Sequence, residues 1–259
     1  MTDSNSRPEP IADASIWVWL WLPLPVVISA ELAGLYARQW HTKDTPEWEA
    51  SMDWYQTWFV GEISIIELGT ALVLLCACIM AVRCLVHPAN RAPRQLFPWL
   101  VIMSLGSVYF FGEEISWGQH LVGWSTPEWY TDATGNRQDE TNLHNISSWF
   151  NQKPRHLFQA WVLIGGVIVP LYARLRGTPI SHPDRIMYWF WPTSVATFIA
   201  ALAILVRVPE WVADGLQKAG RDPLYDWLTA APPAELQEFC LGVFLLVYFC
   251  SIHRRLQTR

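Results

Sequence analysis

The segment running from Phe110 to Asn151, FFGEEISWGQHLVGWSTPEWYTDATGNRQDETNLHNISSWFN, concentrates most of the side chains in this chain that could do chemistry. Glu113 and Glu114 are adjacent carboxylates at the end of an apolar run. If the helix carrying them continues for two turns, Glu113, Trp117 and His120 fall at i, i+4 and i+7 on one face, although Gly112 and Gly118 work against that continuation. Further along, Glu140 and His144 are four residues apart, a spacing that lets two side chains of one helical turn grip one ion. Carboxylates with an imidazole bind a hard or borderline divalent ion (Zn, Fe or Mn) and activate water on it. Without a metal, a buried carboxyl of raised pKa serves as general acid or base. The first scheme makes Glu114, Glu140 and His144 the ligands and Glu113 the base, with Gln119 and Asn145 orienting the substrate. Gln138, Glu67, His120 and Glu238 are further candidates.

The composition of the chain that must hold these residues points to lipid. Of 259 residues 52% are hydrophobic and 16% charged, against roughly 25% charged in an average soluble domain. Seventeen Trp, 11 Phe and 8 Tyr accompany only 18 Lys and Arg. A net charge of −5 argues against a nucleic-acid partner, which needs clustered cations to neutralise phosphates. Runs free of charge predict six transmembrane helices at about 15–36, 62–83, 96–114, 157–175, 187–207 and 236–253. The fold class expected is therefore an all-α integral membrane protein, one polytopic domain over 1–259, with long Trp-rich outer loops. Pro23, Pro25, Pro170 and Pro192 suggest kinks, since neighbouring helices in a membrane re-satisfy freed backbone groups.

Six spans place both termini on one side. The connections there and the tail hold Arg83, Arg91, Arg94, Arg174, Arg176, Arg185, Arg254, Arg255 and Arg259, so the positive-inside rule makes that side the cytoplasm. The segment before the first span has one Arg against Asp3, Glu9 and Asp13, the wrong charge for a signal peptide. Cys76, Cys78, Cys84, Cys240 and Cys250 all lie within or beside spans, which indicates packing residues rather than a disulfide framework. His41, His87, His182 and His253 fall in tails or short loops and carry no functional reading.

Completing the second and sixth spans draws Glu67 and Glu238 to the hydrocarbon edge, where Glu114 ends the third. Ionisable side chains at such a depth are costly and default to function. Glu62 and Glu235 have a blander role as helix-start charges, and His156 beside Lys153 and Arg155 is an interfacial residue. Trp40, Trp48, Trp54, Trp58, Trp117, Trp124, Trp129, Trp149, Trp211 and Trp227 form an interfacial belt. Their sharper reading is a platform for a glycolipid or lipid-linked substrate.

GEEISWGQ, the Gly123, Trp124, Thr126, Pro127, Glu128 stretch, and Asn136 to Asn145 ending in NLHN together resemble a family of bacterial polytopic membrane proteins with no assigned activity. The resemblance covers about a sixth of the chain. It implies a bacterial inner (plasma) membrane location and supplies no reaction. In that family an Arg commonly follows the Gln of GEEISWGQ; His120 stands there in this chain, which moves weight from His120 to Glu113, Glu114, Gln119, Gln138, Glu140, His144 and Asn145.

Two functions compete on this sequence. One is a metal-assisted hydrolase or transferase acting on a lipid or lipid-linked substrate at an outward-facing site. The other is a non-enzymatic membrane subunit or a module binding glycolipid or protein, its polar groups forming a structural network. A transporter would show inverted repeats and charges along the full membrane depth, and the sequence has neither.

Overall fold

The computed structural model describes residues 15–61, 64–87, 94–134, 148–177, 185–221 and 233–257. Among these the chain is helical, with six helices long and apolar enough to cross a membrane: Trp17–Gln39, Pro46–Leu85, Leu96–Glu114, Lys153–Arg176, Ile186–Lys218 and Pro233–Gln257. The α-helices are α1 (Pro23–Gln39), α2 (Pro46–Tyr55), α3 (Ile65–Leu85), α4 (Leu96–Glu114), α5 (Gln119–Val122), α6 (Glu128–Thr134), α7 (Ser148–Trp161), α8 (Val169–Arg176), α9 (Ile186–Phe190), α10 (Thr197–Leu205), α11 (Val208–Lys218) and α12 (Pro233–Gln257), with α5 and α6 lying between the third and fourth spans.

Local sequence explains where these helices start. Thr45 caps α2 by accepting from the Trp48 amide at 3.3 Å, with Pro46 in the first turn where its missing N–H costs nothing. Ser64 caps α3 by accepting from the Glu67 amide at 3.2 Å, the S-x-x-E spacing of a capping box. The last helix is the axis of the bundle: 78% of its apolar window is buried, against 28–33% for the other five. Phe239, Cys240, Val243, Phe244, Val247 and Tyr248 carry the core along it. Elsewhere small residues bring backbones together. A Cβ on Gly166 would lie 2.4 Å from that of Ala200, the close helix contact that membrane packing favours.

The continuous fifth helix expected over 187–207 is not what forms. It breaks after Phe190: Trp191 and Thr193 are extended, and a 3-10 turn at Ser194–Ala196 restarts the chain into α10. Pro192 explains the break, because it lacks an N–H and disfavours helix at the residue before it. The freed carbonyls are satisfied by α12, whose Tyr248 hydroxyl donates to Trp189 O at 3.0 Å and whose Arg255 donates to Tyr188 O. Irregular backbone at such a depth survives because protein surrounds it. Span four also deviates, with a π-helical stretch over Val162–Ile168 before Pro170 in the first turn of α8.

Helices alternate in direction, so the bundle has two unlike ends. One gathers Arg83, Arg94, Arg174, Arg176, Arg185, Arg254 and Arg255; the other gathers Glu67, Glu113, Glu114, Glu235 and Glu238.

Candidate functional site at the acidic end

Glu113 and Glu114 are neighbours in sequence and serve different surroundings. Helix α4 stops at Glu114, so the continuous face carrying Glu113, Trp117 and His120 does not form. The chain instead turns left-handed through Ser116, Trp117 and Gly118, with φ of 46°, 54° and 95°, before re-entering helix at Gln119. Left-handed backbone at two non-glycine residues stores about 1–3 kcal/mol each. That turn folds the indole of Trp117 back over α4, where its Nε1 donates to Glu113 Oε1 at 2.5 Å. Gly112 makes room: a Cβ there would lie 2.8 Å from the indole ring. Gly118 meets the steepest left-handed angle and lies under Trp124, whose ring a Cβ would approach to 3.4 Å. Gln119 Nε2 donates to Thr126 Oγ1 at 3.1 Å, both residues buried, and ties the turn to the strand of chain before α6. Tyr109 packs edge-on to Trp117 with ring centroids 6.4 Å apart. The Tyr130 phenol is pushed above its usual range, first by burial and then by the Glu113 carboxylate.

Glu114 faces the other group. Glu238, Glu67 and Glu235 lie within electrostatic reach of it, together with the Arg155 guanidinium. Four of the six spans contribute, which brings together the three residues whose depth singled them out in the sequence, Glu67, Glu114 and Glu238. Arg155 Nη1 pairs with Glu238 Oε1 at 2.9 Å, and both side chains are partly exposed. Behind the pair sits Gln237, 1% exposed. Its Oε1 accepts from Gln159 Nε2 at 2.7 Å and from Arg155 Nη2 at 3.4 Å, and its Nε2 donates to Ala203 O at 2.9 Å. Arg207 and Glu210 pair at 2.9 Å and face Glu235.

Arg155, Gln159, Gln237 and Glu235 are thus added to the site. Gln159 and Gln237 carried a signal, since each interrupts an apolar run with an amide. Uncharged amides escape a reading built on charges.

Glu62, Gln138, Glu140, His144 and Asn145 lie outside the described residues, as does the side chain of His120. His156 is exposed on α7. Among the described residues no three His, Cys, Asp or Glu side chains stand where they could share a metal ion. Of the expected ligands only Glu114 is described.

No family model, no curated protein and no solved structure matches the chain.

Proposed function

We propose that this multi-pass protein lies in a bacterial inner membrane with both termini in the cytoplasm, and that its acidic end faces outward as a hydrolase or transferase site for a lipid or lipid-linked substrate. The observation that carries the reading is the gathering of Glu67, Glu114, Glu235 and Glu238 around Arg155 at the boundary where an apolar bundle meets the Trp117 turn. An amphiphile has its scissile bond at that depth, with acyl chains against the exposed apolar faces of the helices and its head group against the acids and indoles. Glu114 is the proton-transfer group of this proposal, held at low dielectric where a small change in surroundings moves a proton between carboxylates. Arg155 presents a planar guanidinium suited to a phosphate or carboxylate of the substrate, and Gln237 fixes its direction. Glu113 anchors the Trp117 turn that forms one wall, and Gln119 fastens that turn to Thr126. If a divalent ion is used, Glu114 with Glu140 and His144 is the set that would hold it and polarise the bond to be cleaved.

A second reading, a binding module without catalysis, draws on the Gln237 network, which is bonded at both ends of its amide as structural networks are. Lipid profiling separates the two. Cells making the parent chain and cells making Glu114→Gln at equal membrane levels are compared by mass spectrometry of total lipids. The enzyme reading expects one lipid class to change with the parent and to return to baseline with Glu114→Gln. Identical profiles for parent, variant and empty cells refute it.

A further inference from the structure

The indole of Trp117 lies flat on α4, with one face down and the other out. Three successive atoms of its six-membered ring, Cε3, Cζ3 and Cη2, stand 2.8, 2.8 and 2.9 Å from where a Cβ on Gly112 would be. An approach in the plane of the ring would leave the two flanking atoms markedly more distant than the middle one, so the contact is with the ring face. Trp117 is nevertheless 39% exposed. With one face on the helix, that exposure falls on the opposite face and the rim. Left-handed backbone at Ser116 and Trp117 is what lays the ring down in this way.

The edge of the ring is fixed as well. Its Nε1 donates to Glu113 Oε1 at 2.5 Å, and Glu113 is buried. A carboxylate bonded to the indole N–H polarises the ring towards greater negative charge, and its own charge stands beside the exposed face. Half-buried Tyr109 sets a second ring next to the first, with centroids 6.4 Å apart and planes at 60°. The Tyr130 phenol is within electrostatic reach of the same carboxylate.

This combination selects the sign of a ligand. A cation within about 6 Å of the ring centroid is attracted by the quadrupole of the indole, and the Glu113 carboxylate attracts it further. An anion is repelled by both. Glu67, Glu114, Glu235 and Glu238 at the same end of the bundle favour the same sign. The ring face also selects the kind of cation. It offers no lone pair to an N–H, and a compact ammonium is strongly hydrated, whereas methyl groups around a nitrogen rest on the face by dispersion. The turn directly follows the third span, at the level where hydrocarbon gives way to lipid head groups.

We propose that the Trp117 turn is the head-group subsite for a lipid carrying a quaternary ammonium, with the methylated nitrogen over the exposed face of Trp117 and beside the Glu113 carboxylate. The proposal rests on the reading of the acidic end as a lipid site and narrows its substrate class.

The test uses the full chain in detergent and a phosphocholine lipid with a diazirine at the head-group end of one acyl chain. Photolabel that excess unlabelled phosphocholine lipid removes should map to residues 109–130. The competitors are that unlabelled lipid and its 3,3-dimethylbutyl isostere, which keeps the shape and replaces the charged nitrogen by carbon. In the parent the charged lipid should compete at about tenfold lower concentration. Glu113→Gln keeps an acceptor for the indole N–H and removes the charge, so the preference should fall to about threefold. Trp117→Leu should abolish it. Trp129→Leu, at an indole 71% exposed near the same turn, should leave it unchanged. The parent decides the matter even if Trp117→Leu does not fold: equal competition by the two lipids overturns the proposal, as does removable label spread evenly over the spans. A preference that survives both Trp117→Leu and Glu113→Gln, or that Trp129→Leu abolishes equally, also overturns it and leaves only a general interfacial belt. Binding is read without turnover. A chain with this preference and an unaltered cellular lipid profile therefore refutes catalysis alone, and a lipid class altered through Glu114 without the preference refutes this subsite alone.

Discussion

Replacing Gly112 by alanine tests the Trp117 turn through a change of sign. In the parent the new methyl would meet the indole at 2.8 Å, at Cε3, and equally closely at Cζ3, with Cη2 at 2.9 Å. The obstacle is the flat body of a ring held at both ends, by left-handed backbone and by the 2.5 Å bond to Glu113, so it cannot swing aside like a flexible chain end. Displacing it forfeits a hydrogen bond to a charged group, about 1.5–3 kcal/mol. Alanine in a helix returns about 1 kcal/mol of propensity, leaving a net loss of about 0.5–2 kcal/mol. In a Trp117→Ala background the obstacle is gone, and Gly112→Ala should stabilise by up to about 1 kcal/mol. The coupling energy between the two positions is then about 1.5–3 kcal/mol, large for a contact pair. Reversible denaturant unfolding of the four proteins in detergent gives it directly. A Gly112→Ala effect that is the same in both backgrounds would show that the indole does not lie over Gly112.

Gln237→Leu, which changes no charge, should cost about 2–4 kcal/mol in the same unfolding assay by stranding the Gln159 and Arg155 donors and the Ala203 carbonyl. Glu238→Gln, which breaks a partly exposed ion pair, should cost no more than about 1 kcal/mol; the reverse order would mean that the pair and not the amide organises this end. Gly166→Val puts bulk where a Cβ alone would already sit 2.4 Å from Ala200, and the variant should fail to accumulate in membranes by immunoblot. Normal accumulation would separate spans four and five. For orientation, a cysteine replacing Ser125 should react with an impermeant maleimide added to intact cells, one replacing Arg176 should react only after lysis, and the opposite pattern overturns the placement of the termini.

What the sequence makes legible is depth. A helix needs a set number of apolar residues to cross, so counting along the chain places Glu67, Glu114 and Glu238 at one level before any contact is known, and the structure brings those three together. The six spans follow from the same count. Rotation about each helix axis is another matter. Adjacent residues of a helix point about 100° apart, so which of Glu113 and Glu114 meets Trp117 and which meets the acids depends on how α4 is turned. Helix α4 is apolar on both sides, with Leu100 and Met103 inward and Ile102 and Leu105 outward, and the two small serines it also turns inward, Ser104 and Ser107, bond back to its own carbonyls, so only a faint polar stripe records the rotation. The same limit hides partners distant in sequence. Pro192 announces a disturbance, but the full break at Trp191–Thr193 is possible only because Arg255 and Tyr248 answer the freed carbonyls from α12. The turn at Ser116 and Trp117 likewise runs against local preference and is held by Glu113, while Gly112 and Gly118 mark only that something close approaches. Chemistry in a bundle of this kind is therefore written in depth along each helix and in rotation between helices, and the second of these is fixed by packing that no single segment encodes.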